Sequence, residues 1–188
     1  MVVAIFHIEQ DKEYLLRELG AKDSKDLTPG RREELAPEIE KLGEHEIEEV
    51  APSDLNRLMP VHSLNKIEAM AMARLIGGKK GTVYIDLPSR SKESFFRDLG
   101  KRENIVAEHK ADSRYPAVSA ASILAKVRRD SRIRELHEKF GDFGSGYPSD
   151  RKTISFLRKP ENLRALRPHL RERWSTMEGL LQSRLTSY

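Results

Sequence analysis

The stretch AEHKADSRYPAVSAASILAK, residues 107–126, decides how this chain is read. Residues 104–108 form a short apolar run that reads as a strand. A charged turn follows, and from Pro116 small and apolar residues recur at helical spacing, predicting a long helix from 116 to about 140 that Gly141 ends. Asp112 lies at the junction of strand and helix, with Lys110 and Arg114 beside it. A first-turn carboxylate favoured by the helix dipole is its ordinary structural role. The neighbouring cations and the run Ser119-Ala120-Ala121-Ser122 argue for more, because a helix face that small lets a strand or a substrate approach closely.

Working upstream, TVYIDL at residues 82–87 is a strand with one carboxylate, Asp86, near its end. Apolar flanks make Asp86 project from the carboxyl end of a buried strand, where α/β sheets place ligands. A carboxylate there is unfavourable unless paired or metal-bound. The competing reading is a turn aspartate satisfied by the amides ahead of Pro88. Residues 91–99 form a short helix stopped by Gly100. Residues 63–76 carry Leu64, Ile67, Met70, Ala71 and Leu75 at helical spacing and end at Gly77-Gly78. Residues 46–51 alternate as a strand. Thr28 is an N-cap with Pro29 at the first helical position, opening a helix to about 42. Residues 11–20 make a short amphipathic helix through Tyr14, Leu15 and Leu19, and residues 2–8 a buried β-branched strand.

Beyond Asp150 the pattern is helical again, through Leu157, Leu163, Leu166, Leu170, Trp174, Leu180 and Leu181. Strands alternating with helices imply an α/β domain with helices layered on a sheet. We expect one such domain over residues 1–150, with a helical extension over 151–188 packed on it, and no internal repeat.

The 188 residues suffice for one substantial core. With no cysteine, disulfides and thiolate zinc sites are excluded. No run is long enough for a membrane span, and a cytoplasmic, monomeric protein is expected. Net charge is +4, divided as −4 over residues 1–100 and +8 over 101–188. A basic second half suits a polyanion with phosphates, and equally a helical half with solvated faces.

In GSGYPSD, residues 144–150, a tyrosine stands between glycine and proline. Tyr147 either stacks on a sugar or base, an interaction of roughly 1–3 kcal/mol, or packs under its own loop. Lys22-Asp23-Ser24-Lys25 is either a phosphate-holding loop or a solvated turn. The six histidines show no HExxH pattern, and neither a P-loop nor a nucleophile elbow is present.

Together these segments resemble the type 2 ribonuclease H family, ribonuclease HII, in its archaeal form. The resemblance runs from residue 2 to about 173. It includes LGAKDSKDLTPGRREEL (19–35), TVYIDLP (82–88), VAEHKADSRYPAVSAASILAKVRRD (106–130) and FGDFGSGYPSD (140–150), the last two in this order being the most specific. It implies a ribonuclease H-like mixed sheet flanked by helices, with a C-terminal helical part. It also implies cleavage of the RNA strand of RNA–DNA hybrids and at ribonucleotides embedded in duplex DNA, with Mg²⁺ or Mn²⁺ held by four acids. Asp86 and Asp112 match the third and fourth of these, as catalytic and metal-binding residues. Tyr147 matches the tyrosine that stacks on the deoxyribose beside the junction. Lys22, Asp23, Ser24, Lys25 and Lys110 are expected to meet substrate.

The chain departs from the pattern at its start. Family members begin with a strand carrying adjacent Asp and Glu and a Gly-Arg-Gly turn, whereas Met1-Val2-Val3-Ala4 resembles the start of their second strand. Glu9 and Asp11 lie past the other end of that strand and do not substitute. The absent strand is central, beside the one bearing Asp86, so two strand edges are expected to be left without partners, at a cost to folding. The chain as given is therefore expected to have little or no activity. The alternative is a non-catalytic hybrid-binding remnant of the family, or a decayed gene product.

Overall fold

The structure is a computed structural model describing residues 1–21, 26–100 and 104–173. Its elements run β1 (Val2–His7), α1 (Glu13–Glu18), α2 (Pro29–Leu42), β2 (Glu44–Glu49), α3 (Pro52–Leu58), α4 (Leu64–Ile76), β3 (Val83–Asp86), α5 (Lys92–Leu99), β4 (Ile105–Glu108), α6 (Ala111–Arg114), α7 (Pro116–Phe140), α8 (Arg151–Leu157) and α9 (Pro160–Leu166). A helix begins where a side-chain oxygen satisfies one of its orphan N–H groups. Thr28 Oγ1 accepts from Arg31 N–H at 3.2 Å, Ser63 Oγ from Lys66 N–H at 3.2 Å, and Ser91 Oγ from Ser94 N–H at 3.1 Å. Gly100 ends α5 at φ 89°, a conformation that favours glycine.

Several elements differ from the sequence reading, among them α6, a separate short helix ahead of the one expected from 116. β2 lies two residues earlier than expected, because its antiparallel ladder to β1 (Val2↔Glu49 through His7↔Glu44) fixes its ends. α3 was not anticipated. In α1 the core-facing residue is Leu16, which has no exposed surface, while Tyr14 is 56% exposed. The expected Trp174, Leu180 and Leu181 positions lie outside the described residues.

The chain forms two compact units: residues 2–49 with 63–129, and Met1 with residues 50–62 and those from 130 on. In the larger unit β1 pairs with β2. β3 pairs in parallel with β4, with α5 as the crossover that parallel strands require. One core cluster joins Phe6 of β1 to Leu16, Leu35, Ile39 and Ile123 of α1, α2 and α7. Leu16, Ile39 and Ile123 are fully enclosed, and burying such a side chain stabilises by about 1.5–3 kcal/mol. A second cluster packs Ile76 of α4 and Phe95 and Leu99 of α5 on Ile85 and Ala107 of the strands.

Among the described residues no ladder joins β1 to β3, and each has a single strand partner. A cavity of about 880 Å³ is lined by both.

In the smaller unit Phe143, Leu157, Leu163 and Leu166 form the core. The Asn56 side chain donates to Leu170 O and accepts from Glu172 N–H, both at 2.9 Å, tying α3 to the chain after α9. Among the described residues no helix is long and apolar enough to cross a membrane.

Candidate active site

Asp86 is the last residue of β3, in register with Glu108 of β4. After Glu108 the chain turns sharply at Lys110, which holds φ 58° and ψ 36°. It is the only non-glycine with positive φ among the described residues. This left-handed conformation costs an L-residue about 1–2 kcal/mol. What it achieves is visible one residue later: Ala111 N–H donates to Asp86 Oδ1 at 3.2 Å. Lys110 O also accepts from the Ser113 amide at 3.1 Å and its hydroxyl at 2.8 Å, closing the turn that becomes α6.

Asp86 is therefore tied to the element that carries Asp112, not to the amides ahead of Pro88. Asp112 sits in the first turn of α6, as its ordinary role would have it. However, it is only 4% exposed, an unfavourable place for a carboxylate without compensation.

The two carboxylates line different cavities. Asp86 faces the 880 Å³ chamber, and Asp112 a second one of about 450 Å³, where Asp26 is a further acid. Arg17 and Arg114 line both and supply positive charge. Arg114 also pairs with Glu108 at 2.8 Å.

Two features here escaped the sequence reading. Glu68 of α4 lines the larger chamber, and its carboxyl is pushed above the usual range, first by burial and then by the charge of Asp86. The available signal was its position one turn from both Leu64 and Met72 on an otherwise apolar face. The second is a stack of Tyr84 on Tyr115, with ring centroids 4.2 Å apart. Burial foremost, and then the Glu108 charge, raise the Tyr115 hydroxyl above its ordinary value.

Among the described residues no three His, Cys, Asp or Glu side chains come together to enclose a metal ion. The oxygen donors of Asp86 and Asp112, on adjoining elements, suit a hard divalent cation that takes its remaining ligands from water and phosphate.

Lys110 is exposed on the turn between the two acids. Lys22, Asp23, Ser24 and Lys25 lie outside the described residues. Tyr147 belongs to the smaller unit and is 48% exposed, so it is not packed beneath its loop. Asp150 organises that loop. Its Oδ2 accepts from Ser145 N–H at 2.6 Å and Ser145 Oγ at 2.7 Å, and its Oδ1 accepts from Lys152 N–H at 2.8 Å to cap α8. These bonds hold the Asp150 carboxyl well below the usual carboxylate range. Gly146 N–H donates to Thr153 Oγ1 at 3.0 Å, so the residue before Tyr147 is fixed as well.

Known proteins are similar to this chain in sequence and in fold. A ribonuclease HII from Archaeoglobus fulgidus is 43% identical over 176 residues, covering 92% of this chain and 86% of that one. One from Thermoplasma volcanium is 49% identical over 151 residues, covering 79% and 71%. The A. fulgidus ribonuclease HII solved in complex with PCNA superposes with a TM-score of 0.82 at 43% identity, over 95% of this chain and 88% of that one. Ribonuclease H2 from Pyrococcus horikoshii gives 0.82 at 31% identity over the whole of both. A ribonuclease HIII crystallised with Mn²⁺ shares the fold at 22% identity. The model of the family described as ribonuclease HII matches residues 1–177, and the chain belongs to that family of ribonuclease H enzymes.

Proposed function

We propose that this chain acts on the RNA strand of RNA–DNA hybrids, and on duplex DNA at embedded ribonucleotides, by divalent-metal-dependent hydrolysis with Asp86 and Asp112 as its metal-binding carboxylates. The observation that carries the proposal is the Ala111–Asp86 hydrogen bond, which locks a strand-end carboxylate to the turn bearing a nearly buried one. Bound there, Mg²⁺ or Mn²⁺ supplies positive charge to the scissile phosphate and to the oxygens that gain negative charge during in-line displacement. Asp86 and Asp112 orient that charge. Lys110, exposed between them, meets a neighbouring phosphate, with the loop of Lys22, Asp23, Ser24 and Lys25 on the same backbone. Tyr147, presented on a loop braced by Asp150, stacks on the sugar beside the RNA–DNA junction. The cut falls 5′ to the ribonucleotide and leaves a 3′-hydroxyl.

A second reading is supported by the gap between β1 and β3. On this reading the chain binds hybrids but turns over slowly or not at all, since among the described residues no three His, Cys, Asp or Glu side chains come together to hold a metal. One experiment separates the two. The 188-residue chain is incubated with a duplex containing a single ribonucleotide, in Mg²⁺ and in Mn²⁺, beside Asp86→Asn and Asp112→Asn. Metal-dependent cleavage lost in both variants supports the enzyme reading. Binding that weakens steeply with salt, without cleavage in either metal, supports the binding reading. Cleavage that survives both substitutions removes these aspartates from the chemistry.

A further inference from the structure

We propose that His137 is a positioning residue for junction recognition: through the carbonyl of Gly144 it sets the direction in which the loop presents Tyr147. This rests on the reading of Tyr147 given above and deepens it, by placing control of that ring in a side chain of α7.

His137 stands in the last turn of α7 and acts there twice. Its backbone carbonyl accepts from Gly141 N–H at 2.8 Å, closing the helix as the chain turns away. Its side chain reaches on into the loop, where Nε2 lies 2.8 Å from Gly144 O. A carbonyl oxygen only accepts, so Nε2 carries the proton and donates it. Asp142 Oδ1, at 3.8 Å from Nε2, is too far away to take that hydrogen bond. Packing aims the ring. It meets the Phe143 ring at 78°, with centroids 4.4 Å apart, and Phe143 is itself buried, 5.8 Å from the ring of Phe156 on α8.

The bond fixes one peptide plane. Gly144 O and Ser145 N–H belong to the same planar unit. The first accepts from His137 of α7, and the second donates at 2.6 Å to Asp150, the N-cap of α8. Side chains flanking two helices thus grip opposite edges of a single plane. Gly144 needs that grip, because it holds φ 87° and a glycine leaves this conformation at little steric cost. Its own N–H donates to Asp142 Oδ1 at 2.9 Å, and Asp142 Oδ2 pairs with Lys152 at 2.6 Å. A Cβ on Gly144 would stand 2.5 Å from Asp150 Oδ2, so the surroundings of this plane are filled. Tyr147 follows three residues on, half-exposed, and inherits its direction from the plane. Without the His137 donor the plane is held at one edge only, and the ring is no longer aimed.

The test separates the imidazole ring from its proton. His137→Phe keeps a ring against Phe143 and loses the donor, whereas His137→Gln loses the ring and keeps an amide donor of similar reach. The 188-residue chain, both variants and Tyr147→Ala are titrated by fluorescence anisotropy, in Ca²⁺ to suppress cleavage. Two labelled duplexes of equal length are compared, one with a single embedded ribonucleotide and one a uniform RNA–DNA hybrid. The readout is the ratio of the two affinities, which a general loss of stability does not move. Tyr147→Ala should lower this ratio about fivefold or more, as loss of a stacked ring does. His137→Phe should lower it roughly three- to tenfold, as loss of one hydrogen bond does, and His137→Gln by less than about twofold. In the Tyr147→Ala background His137→Phe should lower it no further, because it acts through that ring. A second measurement needs no variant: at about pH 8.5, well above the ordinary histidine value, the ring nitrogen spectrum of His137 should show the Nε2–H tautomer. An unchanged ratio for His137→Phe beside a lowered one for Tyr147→Ala would overturn this proposal alone. An unchanged ratio for Tyr147→Ala would remove the reading of Tyr147 and this proposal with it. Equal losses for the Phe and Gln variants, a further loss in the double variant, or an Nδ1–H tautomer would each overturn it, leaving His137 a packing residue.

Discussion

Replacing Ala121 by leucine is expected to stabilise this protein, against the usual outcome of enlarging a residue between a helix and a sheet. Ala121 lies on α7 and faces the 880 Å³ chamber. Leucine adds three carbons, worth about 0.8 kcal/mol each when fully buried, so the ceiling is roughly 2.4 kcal/mol. Because the chamber is open to solvent at its ends, some two-thirds of that is realised, or about 1.5 kcal/mol. Alanine and leucine are both strong helix formers, so propensity takes back only a few tenths. For a chain of this length the gain corresponds to about 3–6 °C in melting temperature. The control is the same substitution at Ala69 of α4, which has no exposed surface and packs in the cluster with Ile76, Ile85 and Phe95. There the added carbons meet filled space, and overpacking costs about 1–3 kcal/mol. Urea melts of the two variants, compared at equal slope, read both numbers. Identical chemistry should thus give opposite signs. If Ala121→Leu is destabilised as much as Ala69→Leu, the chamber is closed in solution, and the argument from unpartnered edges fails with it.

Three further outcomes follow from groups around the site. Asp150→Asn removes the charged acceptor of both Ser145 donors, so affinity for a junction-containing duplex should fall toward that of Tyr147→Ala and the melting temperature of the chain should drop as well. The lowered carboxyl of Asp150 contributes its stabilisation fully above the ordinary carboxylate range and loses it only as pH falls below that range. The Ser145 amide shift should therefore be flat from pH 7 to 5, and movement in that window would contradict the assignment. The raised carboxyl of Glu68 has the opposite sign. The folded state holds this proton more tightly, so stability falls as pH rises from the ordinary Glu value through the raised one, and Glu68→Gln should abolish that decline in urea melts. Parallel pH profiles for the two proteins would mean that burial does not perturb it. Lys110→Gly relieves the left-handed backbone and should add about 1 kcal/mol of stability, while flattening the log–log salt dependence of hybrid binding by about one unit. A variant no more stable than the parent would show that the turn is not strained.

The elements legible in the sequence were those whose signal is local. β1, β3 and β4 are short apolar runs, and α2, α4 and α5 begin at a Thr or Ser whose hydroxyl caps them. β2 was displaced because EHEIEE carries little hydrophobic pattern and its ends are set by the ladder to β1. α3 was missed because seven residues with Leu55 alone buried are too short to show a period. The same division holds in the site. Asp86 and Asp112 stand out from their apolar and small neighbours. Their connection does not, because it depends on a lysine in a conformation that glycine or asparagine usually signals.

Stability and chemistry in this chain meet at β3. Asp86 is held on one side by the β4 ladder and by the Ala111 amide, and on the other side β3 faces an open chamber. A strand laddered along one edge only exchanges and frays more readily than one laddered along both. The end residue, which here carries the carboxylate, frays first. Asp112 is not exposed to this weakness, since it lies in a helical turn directly ahead of α7, whose Ala120, Ile123 and Leu124 are enclosed in the core. The two carboxylates thus differ in how firmly they are placed, although one hydrogen bond connects their elements. Whatever closes the chamber should tighten Asp86 more than Asp112. The placement of Asp86 is accordingly limited by the free edge of a four-residue strand, and not by the turn whose Ala111 amide holds it.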